Sequence, residues 1–286
     1  MTVQVAGGGA VDGMAPALRA ATDVGRQHGV HGVEPVVLQE TNNTVVWLAP
    51  EPVVAKVATR ADARRDLCLE HAVATELLVA GGEIAPPLPG AGPAVHAESG
   101  CVVTLWQRVE GGARVQVAAS DLAASLRRLH GALARTGVVL PSFRLALERA
   151  RAALDDDAFM ASLGTPDRSF LRRVYDDGLR VLDGYRTEGR RLHGEPHDGN
   201  RLVAAGDIRW IDFESCCVGP LEWDLAFQRA AVADHFPEAD AKLLRLLRRL
   251  NSARVATWCW GQARFPEMRR HGEVHLALLR SSSGGG

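Results

Sequence analysis

From Val33 to Ala58 the chain runs through three β-branched apolar segments, VEPVVLQ, TVVWLA and PVVAKVA, broken by ETNN and by Pro50-Glu51-Pro52. Runs of this length and spacing predict three successive antiparallel strands. A helical pattern over 62–80, closed by Gly81-Gly82, follows them. AVHAE and CVVTLW then predict two more strands around a turn at Ser99-Gly100. After Glu110-Gly111-Gly112 the texture becomes helical, with Ser120 as expected N-cap of DLAASLRRLHGAL and further helices near 142–154, 168–184, 221–232, 238–250 and 253–264. The exception is 201–213, RLVAAGDIRWIDF, which predicts a hairpin turning at Ala205-Gly206-Asp207. A short helix is expected near 14–28. The expected class is α+β: a small five-stranded antiparallel sheet with one helix, then a larger mainly helical lobe with a short hairpin. The expected divisions are an N-terminal extension (1–30), a small lobe (31–106), a helical lobe (107–280) and a flexible tail (281–286).

Composition removes several function classes. With 286 residues and 47% hydrophobic content, the chain is globular rather than disordered. A net charge of −1 gives no electrostatic case for nucleic acid or an anionic membrane. No apolar run approaches the ~20 residues a spanning helix requires, and the N-terminus lacks the layout of a secretory signal. The cysteines at 68, 101, 216, 217 and 259 form no CxxC, which suits reduced thiols in a cytoplasm.

Only Lys56 and Lys242 are lysines among 33 basic residues. In a chain that otherwise uses arginine for positive charge, a lysine inside the apolar strand VVAKVA invites a specific explanation. At 100° per residue, Glu70 falls at the centre of the apolar arc made by Leu67, Leu69, Val73, Ala74, Leu77 and Leu78. A carboxylate there needs a cation, because burying it unpaired costs several kcal/mol. Glu76, at the edge of the arc, is the weaker candidate. A strand lysine paired with a glutamate of the next helix is the device protein kinases use to hold nucleotide phosphates; an outward-facing residue on a half-buried sheet is the other reading. The preceding turn contains no glycine. Asn42 and Asn43 there either offer donors to phosphates or make a plain hairpin turn.

The most concentrated chemistry lies in LHGEPHDGN at 192–200 and IRWIDFES at 208–215. Glu195 and Asn200 stand at the separation of the acid and metal-binding asparagine of a kinase catalytic loop. Phosphoryl transfer needs a carboxylate to accept the proton of the attacking hydroxyl, and oxygen ligands for Mg²⁺. Asn200 supplies one ligand and Asp212, at the end of the hairpin, a second. The triplet His193-Gly194-Glu195 also matches the H-x-E of zinc deaminases, but the required P-C-x-x-C is replaced by adjacent Cys216-Cys217. No HExxH, GxSxG, P-loop or GxGxxG is present. His193 is expected to bond the loop backbone, and His197 and Asp198 to face solvent.

LHGEPHDGN, then WIDFES, then GPLEWDLA resembles the aminoglycoside phosphotransferase and choline kinase group of the protein-kinase-like fold. That group shows H-G-D-x-x-x-x-N, I-D-[WF]-E and W-D-L-A in this order. VVAKVA with Glu70 resembles its small lobe, VVTLWQRVEGG its hinge, and LRRLHGAL the helix before its substrate region. The resemblance implies ATP or GTP as phosphate donor, Mg²⁺ as cofactor and a small hydroxylated acceptor. It implies that Lys56 contacts the α/β-phosphates and Glu70 fixes it. Backbone groups of Trp106, Gln107 and Val109 would hold the adenine. Glu195 would be the base, Asn200 and Asp212 the Mg²⁺ ligands, and Asp224 the brace of the catalytic loop. Two departures matter: Glu at 195 where the family has Asp, and no glycine in the phosphate turn. A misplacement on the 1 Å scale can cost ~10²-fold in rate, so a catalytically weak or inactive nucleotide-binding module is the alternative.

A polycationic acceptor would want acids in the helical lobe. Asp155-Asp156-Asp157 and Asp176-Asp177 supply some, whereas from 236 onward nine basic residues stand against four acidic. The sequence leaves an antibiotic and an unrelated metabolite equally open.

Overall fold

The computed structural model describes residues 11–40, 43–58, 61–110, 115–185 and 189–281. Asn42, the Gly111-Gly112 connector and the tail 282–286 lie outside them. The chain divides into two compact units, residues 1–115 with 135–138 and 200–214, and residues 116–134 with 139–199 and 215–286.

In the first unit, β1 (Glu34–Glu40), β2 (Thr44–Ala49), β3 (Val53–Ala58), β4 (Ala94–Val95) and β5 (Val102–Gln107) form an antiparallel sheet in the order β1-β2-β3-β5-β4. This is the five-stranded sheet expected, although β4 retains only two residues of AVHAE. Period-two alternation turns Val53, Ala55 and Val57 to one face. There they meet Ala17, Ala20, Ala21 and Val24 of α1 (Val11–Gln27), so residues expected as an extension supply part of this core. Lys56 necessarily points to the opposite face. The helix α2 (Ala61–Val79) follows β3, and Gly81 ends it at φ +73°, where only glycine is unstrained. The hairpin of β7 (Arg201–Ala204) and β8 (Asp207–Trp210) also belongs to this unit and turns through Ala205 (φ 50°) and Gly206 (φ 90°).

The second unit is built from α3 (Ala119–Leu133), α4 (Arg144–Ala153), α5 (Thr165–Leu182), α6 (Leu221–Leu225), α7 (Ala230–Ala233), α8 (Ala241–Gly261) and α9 (Pro266–Ser281). Its core joins Leu147, Leu171, Tyr175, Trp223, Leu247 and Leu250, all buried. A two-stranded ladder of β6 (Arg190–Leu192) and β9 (Cys217–Gly219) brackets residues 193–216; three-residue strands give too short a pattern to predict.

Several helix expectations are corrected. Ser120 is not the N-cap of α3: that position is Ala118, without a side-chain cap, and the Ser120 hydroxyl bonds Asp121. The helix expected over 221–232 is two short ones, α6 and α7. The helices expected over 238–250 and 253–264 are one, α8, since Asn251-Ser252 continues the apolar stripe through Leu250, Ala253 and Ala256. Asp240 caps α8, accepting from the Lys242 and Leu243 amides at 2.7 and 3.1 Å. The helix α9 was not anticipated. No described helix is long and apolar enough to cross a membrane.

Candidate active site

The first unit concentrates its chemistry around Lys56. Its ammonium donates to Glu70 Oε2 at 2.7 Å, Glu214 Oε1 at 2.7 Å and Asp212 Oδ1 at 3.1 Å, which uses its three protons on three carboxylates. Glu70 is 2% exposed, as its place on the apolar arc of α2 demands, and its other oxygen accepts from the Phe213 amide at 3.2 Å. Asp212 follows β8 at φ 68°, a left-handed conformation that aspartate tolerates better than most side chains. This turn points the 212 carboxylate at Lys56. At the same end of the hairpin the Asn200 carbonyl accepts from the Ile211 amide at 3.0 Å, and Asn200 is 6% exposed.

The electrostatics of the cluster are unbalanced. Burial alone would lower the Lys56 pKa; Asp212, Glu70 and Glu214 outweigh it and hold the ammonium well above its ordinary value. Burial pushes the Glu70 carboxyl up to about 8 despite Lys56, and raises Glu214. Three carboxylates facing one ammonium carry two negative charges in excess when all are ionised. Oxygens of Glu70, Asp212 and Glu214 lie within 4.8 Å of one another. Clustered hard oxygen donors of this kind suit a divalent cation such as Mg²⁺.

Other expected nucleotide contacts are placed more unevenly. Asn43 is buried, donating to Glu214 Oε1 at 2.5 Å, while its Oδ1, also buried, has no hydrogen-bond partner. Asn42 lies outside the described residues. At the hinge, the Gln107 amide is taken by Pro86 O (2.9 Å) and the Arg108 amide by Pro52 O (2.8 Å). The Trp106 indole donates to Thr104 at 2.9 Å. Among the turn and loop contacts of the described residues, the Val109 backbone N–H makes no hydrogen bond, whereas those of Gln107 and Arg108 are taken.

The second unit carries Glu195 in a loop held from below. Asp224, fully buried on α6, accepts from the His193 amide (3.0 Å), the Gly194 amide (2.8 Å) and His130 Nε2 of α3 (2.7 Å). Gly194 has φ +86°, and a Cβ there would overlap the Ser215 carbonyl, so both its conformation and its packing require glycine. His193, buried, accepts from the Glu195 amide through Nδ1 at 3.3 Å, the backbone-bonding role expected. Gln228 ties down the Pro196 carbonyl. His197 and Asp198 are exposed. Glu195, partly exposed, receives a hydrogen bond from Arg254 of α8.

Four residues around these groups escaped the sequence reading: Glu214 in the first unit, and His130, Gln228 and Arg254 in the second. Glu214 was visible as a second acid two residues past Asp212. His130 sat within LRRLHGAL without a distinguishing signal. Arg254 is one of 31 arginines, and nothing local separates it from the rest.

Comparison with known proteins bears on the fold and the family. A choline/ethanolamine kinase family protein from Mesorhizobium loti shares 15% identity, with 93% of each chain covered and a TM-score of 0.62. Amicoumacin kinase hAmiN, in complex with AMP-PNP, Ca²⁺ and Ami, shares 14% over 94% of this chain and 96% of its own, with a TM-score of 0.69. The GDP complex of wild-type aminoglycoside 2'-phosphotransferase-IIIa shares 14% over 93% and 99%, with a TM-score of 0.69. These likenesses establish the α+β, protein-kinase-like fold. No curated protein matches the chain. Residues 34–265 match the phosphotransferase enzyme family throughout, and the chain belongs to that family.

Proposed function

We propose that the chain transfers the γ-phosphate of ATP or GTP to a hydroxyl of a small molecule. The observation that carries this reading is the Lys56 ammonium, seated 2.7 Å from Glu70 and 3.1 Å from Asp212 in a cluster of three carboxyl groups. Lys56 is fixed by Glu70 to meet the α/β-phosphates, and the Val109 N–H is the donor for the base. Asn200, Asp212 and Glu214 are the groups that would hold Mg²⁺, which supplies charge neutralisation on the phosphates. Glu195, on its braced loop, takes the proton of the acceptor hydroxyl while the acceptor oxygen bonds to the γ-phosphorus. The bond from that phosphorus to the bridging oxygen breaks, and the nucleoside diphosphate leaves. Related structures were determined with GDP in one case and AMP-PNP in another, which supports a purine nucleotide without choosing the base.

The acids that would attract a polycation are already engaged. Asp155 pairs with Arg151 and Arg172 at 3.0 and 2.7 Å, Asp157 with Arg168 at 2.6 Å, Asp176 with Arg151 at 2.8 Å and Asp177 with Arg180 at 2.9 Å. Asp156 accepts from the Phe159 amide at 2.9 Å. This favours a hydroxylated acceptor without several positive charges over a polycationic antibiotic. A screen following ADP or GDP release, with neutral sugars, amino alcohols and aminoglycosides side by side, tests both parts. Release with a neutral or singly charged alcohol supports them. A polycation as preferred acceptor overturns the acceptor assignment, and Mg²⁺-nucleotide binding without turnover on any hydroxyl overturns the activity.

A further inference from the structure

We propose that Arg254 is a positioning residue that makes glutamate workable as the base at position 195. The inference rests on the phosphotransferase reading and goes beyond it. Glutamate has one more rotatable bond than the aspartate of the motif it resembles, so an unheld carboxylate would sample positions more than an ångström apart. Near-attack geometry does not tolerate that spread.

Arg254 is built to remove that freedom. It lies on the long helix α8, is 8% exposed, and donates through Nη1 to Glu195 Oε1. Its Nε donates to Asn251 Oδ1 at 3.3 Å, one turn earlier on the same helix. Its guanidinium carbon lies 5.2 Å from the Phe227 ring and 5.9 Å from the Trp223 ring, within cation–π range of both. A planar donor fixed at Nε and flanked by two aromatic rings has one orientation to offer. Trp223 is itself buried in the core of the unit. The loop backbone is pinned from the other side by Asp224, so both ends of the Glu195 side chain are anchored to rigid elements. The additional methylene is then a requirement of the site: a shorter acid would retreat from Arg254 by about one C–C bond and lose its anchor.

The test uses the full chain and MgATP alone, water taking the place of the acceptor hydroxyl and ADP release being followed. Wild type is compared first with Asp212→Ala. Absence of Asp212-dependent turnover in wild type overturns the phosphotransferase reading and the role of Arg254 with it. Where turnover is present, Arg254→Met is expected to lower kcat by about 10²-fold, with KM for MgATP and the melting temperature little changed. Glu195→Asp is expected to lower kcat about tenfold or more, although it restores the family's usual acid. The double variant should fall little below the lower single variant, because residues acting as one unit are non-additive. Should Arg254→Met fail to fold, Arg254→Lys and Glu195→Asp carry the test; lysine keeps the charge but lacks the planar fork that holds Asn251 through Nε and Glu195 through Nη1, and an intermediate kcat is expected. The proposal is overturned by unchanged kcat in a folded Arg254 variant, by a gain of kcat in Glu195→Asp, or by losses that multiply in the double variant.

Discussion

The Lys56 ammonium meets the Glu70 carboxylate at 2.7 Å from the strand β3, on the sheet face opposite the α1 core. Removing the lysine should therefore spare the fold and spoil the site. In Lys56→Met the buried Glu70 is able to take up a proton instead of standing unpaired, so the chain should remain folded. Nucleotide affinity, measured by calorimetry with MgATP, should fall about tenfold or more, consistent with loss of a charge-assisted contact. Unchanged affinity would remove Lys56 from the nucleotide site.

Glu70 also sets a pH dependence. Its folded pKa of about 8 lies above its ordinary value of 4.5. The folded chain thus binds more protons than the unfolded chain between those values, and the Glu70 contribution to stability is present below the lower one and lost as pH rises through about 8. Urea midpoints taken from pH 5 to pH 9 should decline across this window in the nucleotide-free chain. In Glu70→Gln, which cannot titrate, the decline should be shallower.

Asp224 joins three donors from two segments with no exposure to solvent. Asp224→Ala leaves the His193 and Gly194 amides buried and unsatisfied, at about 1–3 kcal/mol each. A total destabilisation of about 3 kcal/mol or more is expected from urea unfolding. A loss below 1 kcal/mol would show that the brace is dispensable.

Gly194→Ala sets a Cβ against the Ser215 carbonyl at a backbone angle alanine avoids. The loop must move for the variant to fold. Turnover should drop by about 10²-fold while far-ultraviolet circular dichroism remains that of wild type, because the displaced segment contains the acid but little regular structure.

The parts of this protein that sequence made legible are those where a local pattern is tied to one physical cause. The sheet followed from β-branched runs, and Glu70 from a carboxylate on an apolar arc that burial would not tolerate unpaired. The backbone-bonding place of His193 followed from its position in a loop dense with glycine and carboxylates. What escaped depends on partners far apart in the chain. Ser120 has the right chemistry for a cap, yet the cap position falls two residues earlier, at Ala118, and the Ser120 hydroxyl turns to Asp121. Asn251 and Ser252 suggested a break, yet the stripe through Leu250 and Ala253 holds α8 continuous. Arg254 is indistinguishable from other arginines until a loop 59 residues away places Glu195 against it.

The most direct measurement is MgATP turnover by wild type beside Asp212→Ala, with nucleotide affinity determined for both. The account predicts slow ADP release by wild type that the variant loses, with Mg²⁺-dependent binding weakened in the variant. Equal turnover in both proteins, or wild-type binding that is indifferent to Mg²⁺, would contradict it.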